Sequence, residues 1–300
     1  MGLKIGFIGI GIMGRPMALN LMKCGYPLWI YARRPEALQP LIEAGATVCA
    51  TPMEVAAHTD VIFTIVSDTP DVEQVIFGET GIVKGARAGA VIVDMSTISP
   101  AATQVFAQRL EAMGLEMLDA PVSGGEKGAI NAILSIMVGG NVAVFERIRP
   151  LFACMGKNIV HIGDHGAGQV AKACNQIVVA VTIEAVAEAL TFARKNNVDP
   201  AKVREALMGG SAGSKILEVQ GQRMLEHDFK PGFKLGLHLK DMRIVLEAAQ
   251  QSGTAVPAAV LVTQHFNGLV GAGDGELDSS VVIKELALYF QYFAACRASH

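Results

Sequence analysis

Charge is scarce in this 300-residue chain, and neither sign accumulates anywhere along it. Only 18% of the residues are Asp, Glu, Lys or Arg, and 25 basic against 28 acidic side chains leave a net charge of −3. No basic block occurs, so neither nucleic acid nor an anionic membrane is expected as a partner. Cysteine is equally thin. Cys24, Cys49, Cys154, Cys174 and Cys296 are odd in number, scattered, and form no C-x-x-C pair. That argues against a disulfide framework and for a reducing compartment, the cytoplasm. Cys174 is expected to be a buried, inert thiol. Cys296 is misplaced for prenylation, and Gly6 stands where a myristoylation signal wants Ser or Thr. No uncharged apolar run approaches membrane-spanning length, no signal peptide is expected because strand-like sequence begins almost at once, and no short-period repeat is present. What remains is a hydrophobic fraction of 51%, the composition of a compact soluble protein. The length suits one large or two modest domains.

The first positive signal lies at the start. Lys4–Ile8 reads as a strand and runs into Gly9-Ile-Gly11-Ile-Met-Gly14. Arg15–Cys24 then has helical spacing, and Pro27–Tyr31 reads as a second strand. A G-x-G-x-x-G between strand and helix is the dinucleotide-binding arrangement in its required context. Gly9 permits the tight turn, Gly11 lets backbone approach a pyrophosphate, and Gly14 allows close helix–strand packing. Gly9, Ile10, Gly11, Ile12, Met13 and Gly14 are therefore expected against the cofactor, with the helix N-terminus supplying amide donors and a positive dipole end. A site built for NAD would place an acid after the second strand; here the residues are Ala32-Arg33-Arg34. Arg33 can pair with a 2′-phosphate, which leans the cofactor, NAD or NADP, towards NADP(H). A solvated surface arginine is the competing reading.

Alternation of short apolar runs and helical spacings continues to the strand Ala90–Asp94, and Glu116–Asp119, Leu134–Val138 and Asn158–His161 read as further strands that complete a strand-rich half, as expected for a sheet covered by helices. Ligands of such sheets bind outside the carboxyl ends of the strands. That places Val66 and Ser67, after the strand Asp60–Val66, and Thr97, after Ala90–Asp94, beside the cofactor. Ser99-Pro100 reads as a helix cap with proline at the first position. Ser123-Gly124-Gly125 offers adjacent amides that suit a carboxylate, although an ordinary tight turn would use the same residues.

From Gly166 onward the periods are helical: Gly168–Lys195, Pro200–Met208, Lys215–Glu226, Leu237–Ser252, Pro257–Leu269 and Ser279–Cys296. The expected architecture is an α/β Rossmann-type N-terminal domain, residues 1–163, plus an all-α C-terminal domain, 164–300. A long interdomain helix over about 168–195 joins them. Lys172 and Asn175 share one face of that helix. A lysine there either snorkels to water or is buried for a purpose. Lys240 and Asp241 either bracket a ligand or form a helix-surface pair. His161 and His165 lie in a loop without further ligands, so no metal site is expected.

Taken together, Phe7–Gly14, Asp119-Ala-Pro-Val-Ser-Gly-Gly125, Gly166-x-Gly-x-x-x-Lys172-x-x-Asn175-Gln176 and Lys240-Asp241 resemble the beta-hydroxyacid dehydrogenase family, in order and over nearly the whole chain. Leu134–Gly140, Ala206–Gly210, Ile216–Val219 and Leu237–Asp241 most resemble a member that reduces a small carboxylate-bearing aldehyde to a hydroxyacid. The resemblance implies an NAD(P)-dependent oxidoreductase acting on CH–OH groups, assembled as a homodimer or homotetramer. It further implies Lys172 as proton donor, with its pKa lowered by burial, and Asn175 orienting lysine or substrate. Ser123, Gly124 and Gly125 would hold the substrate carboxylate. Lys240 and Asp241 would lie near the nicotinamide end, with Lys240 also touching substrate. The segment after Tyr289 fits the family poorly.

Overall fold

The computed structural model describes residues 3–286. It forms two compact units, one ending at Lys172 and the other beginning at Ala173. In the first unit the elements follow in chain order: β1 (Ile5–Ile8), α1 (Gly14–Lys23), β2 (Leu28–Tyr31), α2 (Gln39–Glu43), β3 (Thr47–Val48), α3 (Pro52–His58), β4 (Val61–Thr64) and α4 (Thr69–Phe77). Then come β5 (Val91–Asp94), α5 (Pro100–Glu111), β6 (Glu116–Asp119), β7 (Val122–Ser123), α6 (Gly125–Ile130), β8 (Leu134–Gly140), α7 (Val142–Ala153) and β9 (Gly156–Gly163).

The strands make one sheet in the order β3-β2-β1-β4-β5-β6-β8-β7, with β9 beside β8. Pairing is parallel from β3 to β6, antiparallel from β6 to β8 and β8 to β7, and parallel again from β8 to β9. β1, β4 and β5 are buried along their full length, as parallel strands covered on both faces must be. Their alternation divides the core. Phe7, Phe63 and Val93 join Met17 and Leu21 of α1 and Ile148 and Phe152 of α7 on one side. Ile8, Ile62 and Ile92 meet Val55 of α3, Ile76 of α4 and Leu110 of α5 on the other. Sequential winding reverses between β1 and β4, so a crevice opens outside their carboxyl ends.

α8 (Ala167–Lys195) runs for 29 residues, and the division between the units falls within it. In the second unit its Ala180, Ile183, Ala187 and Leu190 pack with Leu217 and Met224 of α10 (Lys215–Glu226), which follows the shorter α9 (Pro200–Met208). Leu239 and Met242 of α11 (Leu235–Ser252) and Phe266 of α12 (Pro257–Gly271) complete that core. Asp199 and Ser214 cap α9 and α10 by accepting backbone N–H bonds, as Ser99 caps α5.

α8 is long and apolar enough by length and composition to cross a membrane, with mean hydropathy 1.6 over an 18-residue window, half of it buried inside the fold. No uncharged run in it approaches that length, as expected, because Lys172, Glu184 and Glu188 divide it. Two expectations need correction. Cys174 is exposed, because it falls on the side of α8 opposite the buried Lys172 and Gln176. α6 and α7 are not anticipated by the strand-rich character of residues 116–161; α7 is capped by Asn141, which accepts from the Ala143 amide at 2.8 Å. Of the helix expected over Ser279–Cys296, the part from residue 287 lies outside the described residues.

Candidate active site

A pocket at the carboxyl ends of β1, β2 and β4 is lined by Gly9, Ile10, Gly11, Arg33, Val66 and Ser67, all expected there. Two of the three glycines are required by sterics, and the third is not. Gly9 has φ +100°, and a Cβ on it would lie 2.1 Å from the Ile65 carbonyl oxygen. A Cβ on Gly14 would meet the Gly9 carbonyl at 1.9 Å, so α1 can start this close only without a side chain. Gly11 is pressed by nothing: a Cβ there would enter open space within the pocket, where backbone can be approached by a ligand. α1 has no side-chain cap, but the Arg15 amide already donates to the Gly11 carbonyl at 3.0 Å and Pro16 has no N–H, so of its first three residues the Gly14 amide is the donor left for an anion. These features fit a dinucleotide pyrophosphate. Ile12 is exposed, Met13 occupies the N-cap of α1, and neither they nor Gly14 line the pocket.

Arg33 is exposed and lines the pocket, where its guanidinium pairs with Asp71 of α4 at 3.2 Å. The arginine is thus placed on the ligand side, with a partner that nothing in the neighbouring sequence announces.

Thr97 follows β5, and hydrogen bonds hold its surroundings in detail. Asp94, the last residue of β5, is fully buried. Its Oδ1 accepts from the Thr64 hydroxyl at 2.7 Å, the Ser96 hydroxyl at 2.7 Å and the Ser96 amide at 3.3 Å. Burial pushes its pKa from 3.8 up to about 6, against the pull of those donors, and the nearby Asp119 adds to the rise. The Ser96 hydroxyl in turn accepts from the Val66 amide at 2.9 Å, tying the ends of β4 and β5 together.

The start of α8 is anchored from the end of β6 and from the loop after β5. Asp119, the last residue of β6, is fully buried and accepts from the Gly166 amide at 2.8 Å and the Gln169 amide at 3.0 Å, one on each oxygen. It caps a helix that begins almost fifty residues later in the chain. Burial raises its pKa, and the two amide bonds and His165 oppose that rise. Gly168 is needed because a Cβ would lie 2.5 Å from the Met137 carbonyl oxygen and 2.8 Å from that of Asp119. Gln169 bridges back to β5, donating to the Ser96 carbonyl at 2.9 Å and accepting from the Ile98 amide at 3.1 Å. Those two groups flank Thr97.

Lys172 follows one turn after Gln169 and is only 7% exposed, which decides against snorkelling. Asn175 lies a further turn along, and its Oδ1 is buried without a hydrogen-bond partner. A buried amide oxygen in that condition is an acceptor open to a ligand or to water.

Ser123 ends β7, Gly124 is the N-cap of α6 and Gly125 begins that helix, with φ of +137° at Gly124 and +62° at Gly125. The Gly124 carbonyl accepts from the Gly128 amide at 3.1 Å, so these residues turn the chain into α6. His161 and His165 direct Nε2 at the carbonyls of Gly140 and Met117, each donating to it. No group of metal-ligating side chains occurs among the described residues.

In the second unit Lys240 and Asp241 form a largely buried pair rather than a surface one, at 2.8 Å. The other Asp241 oxygen accepts from the Gln176 side chain at 2.8 Å, linking α11 to α8. Both carboxylate oxygens are thus engaged by the chain itself. Asp94, Asp119 and Gln169 carry no linear motif that announces their partners. The one legible hint is that Asp94 and Asp119 each close an apolar strand with a carboxylate.

Comparison with known proteins gives the same picture. Residues 4–163 match the family described as the NAD-binding domain of 6-phosphogluconate dehydrogenase. Residues 166–286 match that described as NAD-binding of NADP-dependent 3-hydroxyisobutyrate dehydrogenase. The chain is 49% identical to 2-hydroxy-3-oxopropionate reductase of Escherichia coli, over 95% of this chain and 98% of that protein. It is similar in structure to 3-hydroxyisobutyrate dehydrogenase of Mycobacterium tuberculosis with L-serine, with a TM-score of 0.86 and 32% identity over 95% of this chain and 99% of the other. The corresponding enzyme of Salmonella typhimurium superposes with the same TM-score at 30% identity, over 94% of this chain and 99% of the other.

Proposed function

The chain belongs to the beta-hydroxyacid dehydrogenase family, and from that membership we propose that it reduces 2-hydroxy-3-oxopropionate (tartronate semialdehyde) to glycerate. It is an NAD(P)-dependent oxidoreductase acting on CH–OH groups. When bound, the nicotinamide supplies the hydride. The chain's own residues do the rest. The amides of Ser123, Gly124 and Gly125 hold the substrate carboxylate and so fix the aldehyde carbon. Lys172 gives a proton from Nζ to the aldehyde oxygen as it gains charge, and in reverse its neutral amine takes the alcohol proton. Asn175 orients substrate or lysine through the amide oxygen that has no internal partner. Lys240, held by Asp241, serves the substrate and nicotinamide end.

The observation that carries this reading is the burial of Lys172 on a helix whose first turn is fixed from Asp119 and Gln169. A lysine placed so far from water serves chemistry better than it serves solubility. Arg33 supports a lean towards NADP(H). Exposed apolar residues on α8, Val178 and Phe192 among them, support a homodimer or homotetramer. A cytoplasmic location is part of the same reading.

The structural similarity to two 3-hydroxyisobutyrate dehydrogenases favours a second substrate reading, a methyl-bearing semialdehyde. Steady-state kinetics with NADH and NADPH against tartronate, methylmalonate and succinic semialdehydes and glyoxylate separates them. The proposal expects the highest kcat/KM with tartronate semialdehyde. A higher value with any other aldehyde overturns the substrate, and no consumption of reduced cofactor with any of them overturns the enzymatic role.

A further inference from the structure

An acid is missing after β2, where a site for NAD would carry one, yet an acid reaches the same pocket from elsewhere. Asp71 lies in the first turn of α4, lines the pocket with Tyr31, Arg33 and Gln74, and pairs with Arg33 at 3.2 Å. The N-cap of α4 is already filled by Asp68, which accepts from the Thr69 amide at 2.7 Å, so the helix does not depend on Asp71 for its cap. Asp71 is also partly withdrawn from water, its side chain 29% exposed against 72% for Arg33.

We propose that Asp71 is a specificity-determining residue for the dinucleotide, opposing Arg33 in the choice between NADP(H) and NAD(H). The inference rests on this pocket holding the adenosine end of the cofactor. A 2′-phosphate carries a charge of about −2 near neutral pH, and Arg33 is the group that attracts it. Asp71 counteracts this in two ways. Its carboxylate occupies the guanidinium that the phosphate needs, and its negative charge repels the phosphate directly. Towards NAD(H) the same carboxylate helps, since it is an acceptor for a ribose hydroxyl, the task an acid after the second strand performs elsewhere. It also neutralises Arg33, which has no phosphate to meet when NAD(H) binds. The arrangement holds the two cofactors closer in affinity than Arg33 alone would. Because the pair is accessible to water and salt, the effect on each affinity is roughly three- to ten-fold rather than hundreds.

Equilibrium titration of NADPH and NADH, followed by the fluorescence of the reduced nicotinamide, tests this in the full chain without substrate. Asp71→Asn and Asp71→Ala are compared with Arg33→Ala, and circular dichroism verifies folding. Removing the Asp71 charge is expected to tighten NADPH roughly three- to ten-fold while NADH weakens or holds, with the gain shrinking at high salt. Arg33→Ala is expected to weaken NADPH and to leave NADH nearly unchanged. If Arg33→Ala weakens NADPH but both Asp71 variants keep the wild-type ratio, the role of Asp71 is refuted while the pocket assignment stands. If neither Arg33→Ala nor the Asp71 variants move either affinity, the placement of the adenosine end fails, and the inference with it.

Discussion

Replacing Asp94 by asparagine isolates the cost of keeping a carboxylate under the cofactor-facing loops. Asp94 has no exposed surface; three donors converge on its Oδ1, and its Oδ2 is buried without a partner. Its folded-state pKa is raised from 3.8 to about 6, so the fold prefers the protonated acid. The stability contribution of such a group is fully present below about pH 4 and is lost as pH rises through about 6. A tenfold change in proton affinity is worth about 1.4 kcal/mol, so the loss between those limits is about 3 kcal/mol. Asparagine keeps the Oδ1 acceptor for Thr64 and Ser96 and never ionises. Asp94→Asn is therefore expected to be more stable than the native chain at about pH 8, by up to about 3 kcal/mol, with the advantage vanishing towards about pH 4.5. Urea unfolding of both proteins at those two pH values measures the difference, and carbon NMR of the carboxyl gives the titration midpoint directly. A stability gap that is the same at both pH values, or that favours the native chain at the higher one, refutes the reasoning.

Other substitutions test the remaining assignments. Lys172→Ala is expected to lower kcat by roughly 10²- to 10⁴-fold with dinucleotide affinity unchanged, read by steady-state kinetics alongside binding titration; near-normal turnover would remove the proposed proton donor. Gly11→Ala and Gly14→Ala should part company in a thermal melt. The first adds a methyl to open space and should leave Tm alone while weakening the dinucleotide, whereas the second collides with the Gly9 carbonyl and should lower Tm. Asp119→Ala removes two of the hydrogen bonds that hold the first turn of α8, at a cost of about 2–4 kcal/mol on the scale of lost caps and buried hydrogen bonds, measurable by urea unfolding.

How far the residues announce this arrangement depends on whether the causes are local. Strand, glycine loop and helix at residues 4–24 follow from spacing and from sterics within a few residues, and the structure shows the tight turn expected at Gly9 and the close packing expected at Gly14. Helices in the second half follow from their periods and from caps such as Ser214. α7 is legible too, since Asn141 caps a run with Val144, Ile148 and Leu151 on one face, but the glycines before it suggest a break. What escapes depends on partners distant in the chain. The capping of α8 by Asp119, the bridge from Gln169 to both sides of Thr97, and the pairing of Arg33 with Asp71 exist only after the sheet has assembled. Cys174 shows the opposite error. Thiols are buried on average, but the face of a helix decides each one, and this face turns outward.

The anchoring of α8 bears on how such enzymes can be recombined. Its first turn answers to Asp119, Ser96, Ile98 and Met137, all residues of the nucleotide-binding unit, although it begins the helix that continues into the other unit. A chimera spliced in the loop before Gly166 would import a foreign first turn, and with it a lysine whose depth was set against another sheet. A splice within α8, after Lys172, transfers the second unit whole while leaving that buried lysine in its original register. The crossover point that respects the packing of this scaffold is therefore inside a helix, not at the loop where the composition changes.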